Sequence, residues 1–144
     1  MIDSSEEWVW SLYSFIDHRG NSVVQDWYDS QSDKVKAEFD TRFIYLRVAK
    51  DTEWIMPYAR ALHKKCKGFI EVRFKVDRQQ YRAIGFRGPE QRIYTVLRMV
   101  DSHFDEDCGT DKRLRDLILK NRSYRHEPDC FSDLVKEAEE KGIS

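Results

Sequence analysis

The chain has 144 residues, of which 40% are hydrophobic, 13% aromatic and 35% charged, and its formal net charge is −1. A single domain of this length buries about two thirds of its extended surface, so this composition excludes a chain that is mainly disordered. No apolar run approaches the roughly 18 residues that span a bilayer, and the first seven residues are acidic where a secretory signal is basic. We therefore expect a cytoplasmic protein without membrane contact.

The first part of the chain predicts one strand and two helices. Residues 8–17 are dense in aromatic and β-branched side chains, which favours a buried strand, and residues 18–22 supply a turn. A short helix follows, and Ser32 caps a second one. Pro57 interrupts helix, so residues 51–68 are expected to form a partly ordered connection. The apolar stripe of the second helix consists of Val35, Phe39, Phe43 and Leu46.

The middle of the chain predicts a three-strand antiparallel meander. Residues 69–76 alternate between apolar and charged side chains, which is typical of a half-buried strand. Residues 77–80 form the expected hairpin loop before a strand at 81–87. Residues 88–90 turn the chain again before a third strand at 92–100.

Beyond residue 100 the chain is first polar and then helical. An acidic loop at 101–109 is expected to lie in solvent. A helix capped by Thr110 or Asp111 follows it, and another helix begins at Ser132 and ends at Gly142.

These elements predict an α+β fold, in which the N-terminal strand and the helices pack on one face of an antiparallel or mixed sheet. The other face would carry the arginines of the meander. Residues 1–100 would form the core of the domain, and residues 101–144 a C-terminal helical extension of the same domain.

The cysteines and histidines do not form a recognisable site in the sequence. Cys66, Cys108 and Cys130 are an odd number at wide spacing, which favours reduced thiols over a disulfide framework. The four histidines are scattered, so we predict no metal and no cofactor. The acidic run at 105–107 is interpreted as a solvated loop, because consecutive carboxylates point in different directions.

Charge is distributed unevenly along the chain. Residues 60–100 hold eleven Lys and Arg against three Asp and Glu, whereas both flanking segments are acidic. This basic segment forms either an anion-binding face or merely a solvated sheet surface.

Three arginines are the candidate catalytic residues. Arg73, Arg82 and Arg98 lie on three successive predicted strands, so their guanidinium groups are expected to converge on one anion, with phosphate the natural candidate. The alternative is that Arg82 pairs with a carboxylate such as Glu71 or Glu90 and stabilises the sheet.

Other residues of the basic segment are candidates for RNA binding. Aromatic rings accept bases with little sequence preference, and lysines attract the phosphate backbone. The candidates are Tyr81 and Tyr94 for stacking, and Lys64, Lys65, Lys67 and Lys75 for the backbone.

The order of several motifs resembles a known family. Residues 8–29, 57–62 and 68–73, followed by Tyr81-Arg82, are similar to the phage-derived branch of the RelE/HigB toxin superfamily. The resemblance covers roughly residues 8–100. Its most specific parts are the Glu71-Val72-Arg73 strand and the Tyr81-Arg82 pair.

The resemblance implies a toxin of a type II toxin–antitoxin system. Such toxins are mRNA interferases that cleave mRNA in the ribosomal decoding site without a metal, and an antitoxin protein encoded nearby holds them inactive. The partners implied are therefore the antitoxin, the ribosome and mRNA. Arg82 matches the family's arginine in the Tyr-Arg pair, and Arg73 matches the arginine that closes the Glu-x-Arg strand.

One departure from the family leaves the enzymatic activity open. The family carries lysines after its last strand, but residues 98–107 here are acidic. Groups further along, namely His103, Lys112, Arg113 or residues 124–126, are candidates to replace those lysines. The alternative function is a non-catalytic protein- or RNA-binding module on the same fold. An enzyme of another class is least favoured, because there is no phosphate-binding glycine loop and no Ser/His/Asp order.

Overall fold

The computed structural model describes residues 9–101 and 107–140. Its first elements are strand β1 (Ser11–Phe15), helix α1 (Val23–Asp29) and helix α2 (Asp33–Arg47). Ser22 and Ser32 cap the two helices by accepting hydrogen bonds from the backbone of Gln25 and Val35. The predicted first strand was too long. Its first residue, Trp8, lies outside the described residues, as do the acidic residues 102–106 and the predicted helix end at Gly142.

A six-stranded mixed sheet forms the centre of the molecule. The remaining strands are β2 (Ala59–Ala61), β3 (Ile70–Val76), β4 (Gln79–Arg87), β5 (Ile93–Val100) and β6 (Arg125–His126). The strand order is β2-β3-β4-β5-β1-β6, with β1 parallel to β5 and the other pairs antiparallel. The predicted α+β class and the three-strand meander β3-β4-β5 are confirmed.

The hairpin between β3 and β4 is tighter than predicted. Its loop is the two residues Asp77 and Arg78, not residues 77–80, and both have a positive φ, of 48° and 73°. Two such residues in a row are typical of a type I′ turn, whose twist matches that of the strands. The tight turn adds Gln79 and Gln80 to β4.

Strand β2 was also missed. It lies inside the segment predicted as a connection, and it pairs with β3 through only three residues, Ala59 to Val72, Arg60 to Glu71 and Ala61 to Ile70. Three residues are too few to show a period in a sequence.

The main hydrophobic core lies between one face of the sheet and helices α1, α2 and α4 (Asp129–Glu140). All four residues of the predicted α2 stripe are buried in it. Helix α4 begins three residues before the predicted start at Ser132, because the carbonyl of Pro128 already accepts hydrogen bonds from Phe131 and Ser132. Phe131 and Leu134 of α4 complete this core.

Helix α3 (Gly109–Lys120) covers part of the opposite face of the sheet. A second core beneath it includes Phe69, Ile84, Leu97 and Ile118. Helices α1 and α2 therefore occupy one face as predicted, whereas the C-terminal helix α3 lies on the face that was expected to carry only the arginines. The predicted caps of this helix are wrong as well, because it begins at Gly109 and Asp111 is buried instead of capping its end.

A disulfide joins Cys66 to Cys108, with their Cα atoms 5.2 Å apart. The prediction of reduced thiols is wrong for this pair, whereas Cys130 is a free and buried thiol. The two partners are 42 positions apart, and only the docking of α3 brings them together. Burial raises the pKa of Cys130 to about 12, with nearby Asp40 adding to the shift.

Among the described residues, none of the helices has the length and apolar character needed to cross a membrane.

Candidate anion-binding face

The register of the meander decides which face of the sheet each arginine occupies. Arg73 of β3 stands directly opposite Arg82 of β4, and Arg82 stands opposite Val100 of β5. Arg98 pairs with Ile84, the residue two positions after Arg82 on the same side of β4. All three arginines therefore lie on the face opposite the main core. Their common face, the arginine face, is the candidate site.

Arg82 is held by a buried carboxylate. Its Nε lies 2.5 Å from Oε1 of Glu71, whose side chain is fully buried. The other oxygen of Glu71 accepts a hydrogen bond of 3.0 Å from Nε of Arg60, which lies beside it on β2. Glu71 thus joins two arginines from the two strands that flank it. The alternative prediction, in which Arg82 forms an ion pair with Glu71, is therefore confirmed.

Arg98 is engaged away from the other two arginines. Its Nε donates to both carboxylate oxygens of Asp111 in α3, at 2.9 and 3.2 Å, and Nη2 donates to Oδ2 at 3.1 Å. The Asp111 side chain is 1% exposed. This pair fixes α3 to the sheet, so Arg98 holds the fold together at this position.

The expected convergence of three arginines on one anion is not observed. Arg82 is paired with Glu71 on the neighbouring strand, whereas Arg98 is paired with Asp111 of α3, so these two guanidinium groups are directed to different buried carboxylates. The candidate site therefore reduces to Arg73 and Arg82, with Arg60 beside them.

Arg73 differs from its neighbours because it has no acidic partner among the described residues. Its Nη2 donates to the side-chain oxygen of Gln80 at 3.3 Å, and its Nη1 lies 3.2 Å from the weak acceptor Sδ of Met56. Its Nε is buried and has no hydrogen-bond partner within residues 9–101 and 107–140. The buried Nε is closed to an anion from solvent, so an anion would bind the terminal Nη groups of this half-buried guanidinium, which stands opposite that of Arg82.

The two tyrosines predicted to stack on bases are part of the core instead. Tyr81 is 9% exposed and its ring stacks on Phe74. Tyr94 is fully buried and its hydroxyl donates to the carbonyl of Ile70 at 2.6 Å. Burial raises the pKa of Tyr94 well above its usual value, and nearby Glu71 adds to the shift. Neither ring is open to a base, so this prediction is wrong.

The predicted backbone-binding lysines are all exposed. Lys64 and Lys65 belong to the short 3-10 helix Lys64–Cys66, and Lys67 follows directly. Lys75 lies on β3 two positions after Arg73, and therefore on the arginine face. Their exposure leaves them available for attraction to a polyanion.

Three residues of this face were missed in the sequence. Arg60 lies on β2, which is too short to be predicted from the sequence. Gln80 lies on β4 and not in the predicted hairpin loop. Met56 precedes Pro57 in a segment with no periodicity. The closest signal in the sequence is the alternation of β3, which places Glu71 on the same face as Arg73. A carboxylate on that face indicates that a basic residue of a neighbouring strand, here Arg60, pairs with it.

The residues after β5 that were candidates to replace the family's lysines do not lie at the site, as far as the structure describes them. Residues 124–126 lead into β6, at the edge of the sheet farthest from β2, and His103 lies outside the described residues. Lys112 and Arg113 are exposed on the first turns of α3. Within the described ranges, no group of three His, Cys, Asp or Glu is placed to hold a metal ion.

Comparison with models of protein families, with curated proteins and with solved structures gives no match.

Proposed function

We propose that this protein is a toxin-like endoribonuclease of a type II toxin–antitoxin system, acting on ribosome-bound mRNA at the arginine face. The observation that carries the proposal is the pair Arg73 and Arg82, which stand directly opposite each other on two strands. Like charges opposite each other destabilise a sheet unless an anion or a carboxylate compensates them. Glu71 compensates Arg82, which leaves Arg73 to bind an external anion.

The proposed reaction is an attack of a ribose 2′-hydroxyl on the adjacent phosphorus. The hydroxyl loses its proton to water, the new P–O2′ bond forms and the P–O5′ bond breaks. The 5′ oxygen takes up a proton from water, so the products are a 2′,3′-cyclic phosphate and a 5′-hydroxyl. The role of Arg73 and Arg82 is to stabilise the extra negative charge on the phosphorane.

The surroundings of the pair support this role. Glu71 is buried and forms an ion pair with an arginine through each of its oxygens, so it fixes the direction of the Arg82 guanidinium. Preorganised donors of this kind stabilise a transition state without a cost of reorientation. The exposed lysines of residues 64–67 extend the positive charge to bind the RNA backbone.

The proposed cellular setting follows from the same reasoning. We place the protein in the cytoplasm, where ribosomes and mRNA are found, with an antitoxin protein as its inhibitor. The antitoxin would prevent cleavage by covering the arginine face.

Expression in bacteria without any partner gene tests this function. Wild-type protein is expected to arrest growth and to produce mRNA fragments with 5′-hydroxyl ends, whereas Arg73→Ala and Arg82→Ala restore growth. Arg19→Ala is the matched control, because Arg19 is exposed in the turn before α1 and far along the chain from the site. Unimpeded growth with a high yield of soluble wild-type protein would contradict the proposal.

A non-catalytic protein- or RNA-binding module is the second candidate function. The observation that favours it is that both Arg82 and Arg98 are already paired with buried carboxylates. This function predicts that purified protein binds a partner protein or single-stranded RNA at low salt and leaves the RNA intact. RNA cleavage by the wild type, lost in Arg73→Ala, would exclude it.

A further inference from the structure

An exposed group of large apolar and aromatic side chains lies at the outer edge of the sheet, next to Arg73. The rings of Tyr45 and Tyr58 are 4.6 Å apart, and Tyr45 is 39% exposed. Ile55 and Met56 are 59% and 50% exposed. Single exposed apolar residues are common on proteins, but Tyr45, Ile55 and Met56 together, beside the half-buried Tyr58, indicate a binding surface. These four residues are named the tyrosine ledge.

The tyrosine ledge is joined to Arg73 by direct contacts. The backbone N–H of Arg73 donates to the carbonyl of Tyr58 at 2.8 Å, and its guanidinium contacts Sδ of Met56. Arg42 of α2 donates from Nε to the carbonyl of Arg73 at 2.8 Å. The ledge and the anion-binding face are therefore continuous around the edge formed by β2 and β3.

Arg42 also gives the ledge its electrostatic character. Its guanidinium lies 4.5 Å over the ring of Tyr58. The Tyr58 ring contacts both Arg42 and Tyr45, which fixes its orientation, and Arg42 and Arg73 make the surroundings positive. Nucleobases stack on such rings and guanidinium planes, while the phosphates of the same strand are attracted by the charge.

We propose that the tyrosine ledge binds an unpaired base of single-stranded RNA whose adjacent phosphate lies on Arg73. This assignment rests on the proposed function and names how its substrate is bound. A single strand is required, because the bases of a duplex have no free face to stack on the ledge. Tyr45 is the residue expected to contribute most, since its ring is the more exposed of the two.

Binding of two short oligoribonucleotides, one with all its bases and one with abasic sites at its centre, tests this proposal. Tyr45→Ala is expected to weaken binding of the base-bearing strand by roughly fivefold to a hundredfold, which is the effect of losing one stacked base. The affinity of Tyr45→Ala for the abasic strand is expected to equal that of the wild type. Tyr45→Phe keeps wild-type affinity for both strands, because it keeps the ring.

A matched control is available on helix α3. Leu119 on α3 is also a large exposed apolar residue, at 44%, and Leu119→Ala is expected to leave both affinities unchanged. The assignment is overturned if Tyr45→Ala lowers the affinity for both strands equally, or for neither strand. A wild-type dimer that Tyr45→Ala dissociates would show a second copy on the ledge and would overturn it as well.

The same experiment separates this proposal from the proposed function. Base-dependent binding without any RNA cleavage supports the tyrosine ledge and contradicts the nuclease. Cleavage that is lost in Arg73→Ala but unaffected by Tyr45→Ala, with base-independent binding, supports the nuclease and contradicts the ledge.

Discussion

At the scale of single residues, Glu71 decides the electrostatics of the arginine face. It is the buried carboxylate between Arg60 and Arg82, and it lies two positions before Arg73 on the same strand. Without it, three arginines on adjacent strands would face one another. The residue that stabilises the sheet is therefore also the one that keeps Arg82 in a fixed position.

Replacing Glu71 by Gln should destabilise the protein clearly. The amide keeps the shape but loses the charge, so the ion pairs with Arg60 and Arg82 weaken while the amide remains buried. Because Arg60 is 45% and Arg82 20% exposed, water partly compensates them, and we expect a loss of about 2–3 kcal/mol in the free energy of unfolding. Urea denaturation measures this loss.

Glu90→Gln is the control for that prediction. Glu90 also contacts two arginines, Arg122 and Arg125, but its side chain is 48% exposed. Ion pairs in water contribute little, so this variant should unfold close to the wild type. Equal losses in the two variants would show that the burial of Glu71 has no special effect.

His126 predicts a pH dependence of stability. Burial lowers the pKa of His126 below its ordinary 6.5, and its buried Nε2 has no hydrogen-bond partner in the part of the chain that the structure describes. Below pH 6.5 the unfolded chain therefore takes up a proton that the folded protein does not. Stability should fall as the pH falls from 6.5 to the lower folded value, and His126→Gln should reduce this slope.

Unfolding by urea at a series of pH values measures the slope, with His63→Gln at an exposed position as the control. A slope in His126→Gln as steep as that of the wild type would assign the acid sensitivity to other groups.

At the scale of elements, the irregular pairing of β4 and β5 shapes the second core. The register shifts between Ile84 and Gly85, so that Leu97 of β5 has no direct partner. Such a bulge lets Leu97 and Arg98 lie toward α3 together, one in the second core and the other on Asp111.

Gly85→Ala should disrupt this region. A Cβ at Gly85 overlaps the carbonyl oxygen of Thr95 and comes within 2.8 Å of the buried ring of Tyr94. Both neighbours are fixed, one by the backbone and the other by its hydrogen bond to Ile70, so we expect a loss of about 2 kcal/mol or more. Thermal unfolding followed by circular dichroism measures it.

Gly109→Ala is the matched control, because among the described residues a Cβ at this first position of α3 meets only the carboxylate of Asp107, at 3.3 Å. It should be neutral or slightly stabilising. A Gly85→Ala protein as stable as Gly109→Ala would mean that β4 and β5 separate easily.

The elements with a clear period were predictable from the sequence. The α2 stripe repeats at helical spacing, and β3 alternates over seven residues, so both were assigned correctly. The same alternation placed Arg73 opposite the core. These predictions depend only on local spacing.

Features that depend on distant parts of the chain were not predictable. The Cys66–Cys108 disulfide and the Arg98–Asp111 pair exist only because α3 docks on the sheet. The burial of Tyr81 and Tyr94 was missed, because a strand covered on both sides has no polar face to reveal its direction. The tyrosine ledge was missed because it joins α2 to a segment without periodicity.

At the scale of the whole molecule, the near-zero net charge hides a local basic surface. Eleven of the 25 Lys and Arg residues lie in residues 60–100, and those on the arginine face are only partly neutralised by Glu71 and Asp111. Local fields of this kind attract polyanions even when the total charge is small. The overall composition therefore gives little indication of the partner.

The proposed ribonuclease function requires Arg73 and Arg82 to stabilise a pentacovalent phosphate. Its most direct test is the single-turnover cleavage rate of ribosome-bound mRNA, counted as 2′,3′-cyclic phosphate ends, for purified wild type, Arg73→Ala and Arg19→Ala. We predict that Arg73→Ala lowers this rate by about 100- to 1,000-fold, while Arg19→Ala keeps it. A wild type that forms no cyclic ends, or an Arg73→Ala protein that forms them at the wild-type rate, would contradict the claim.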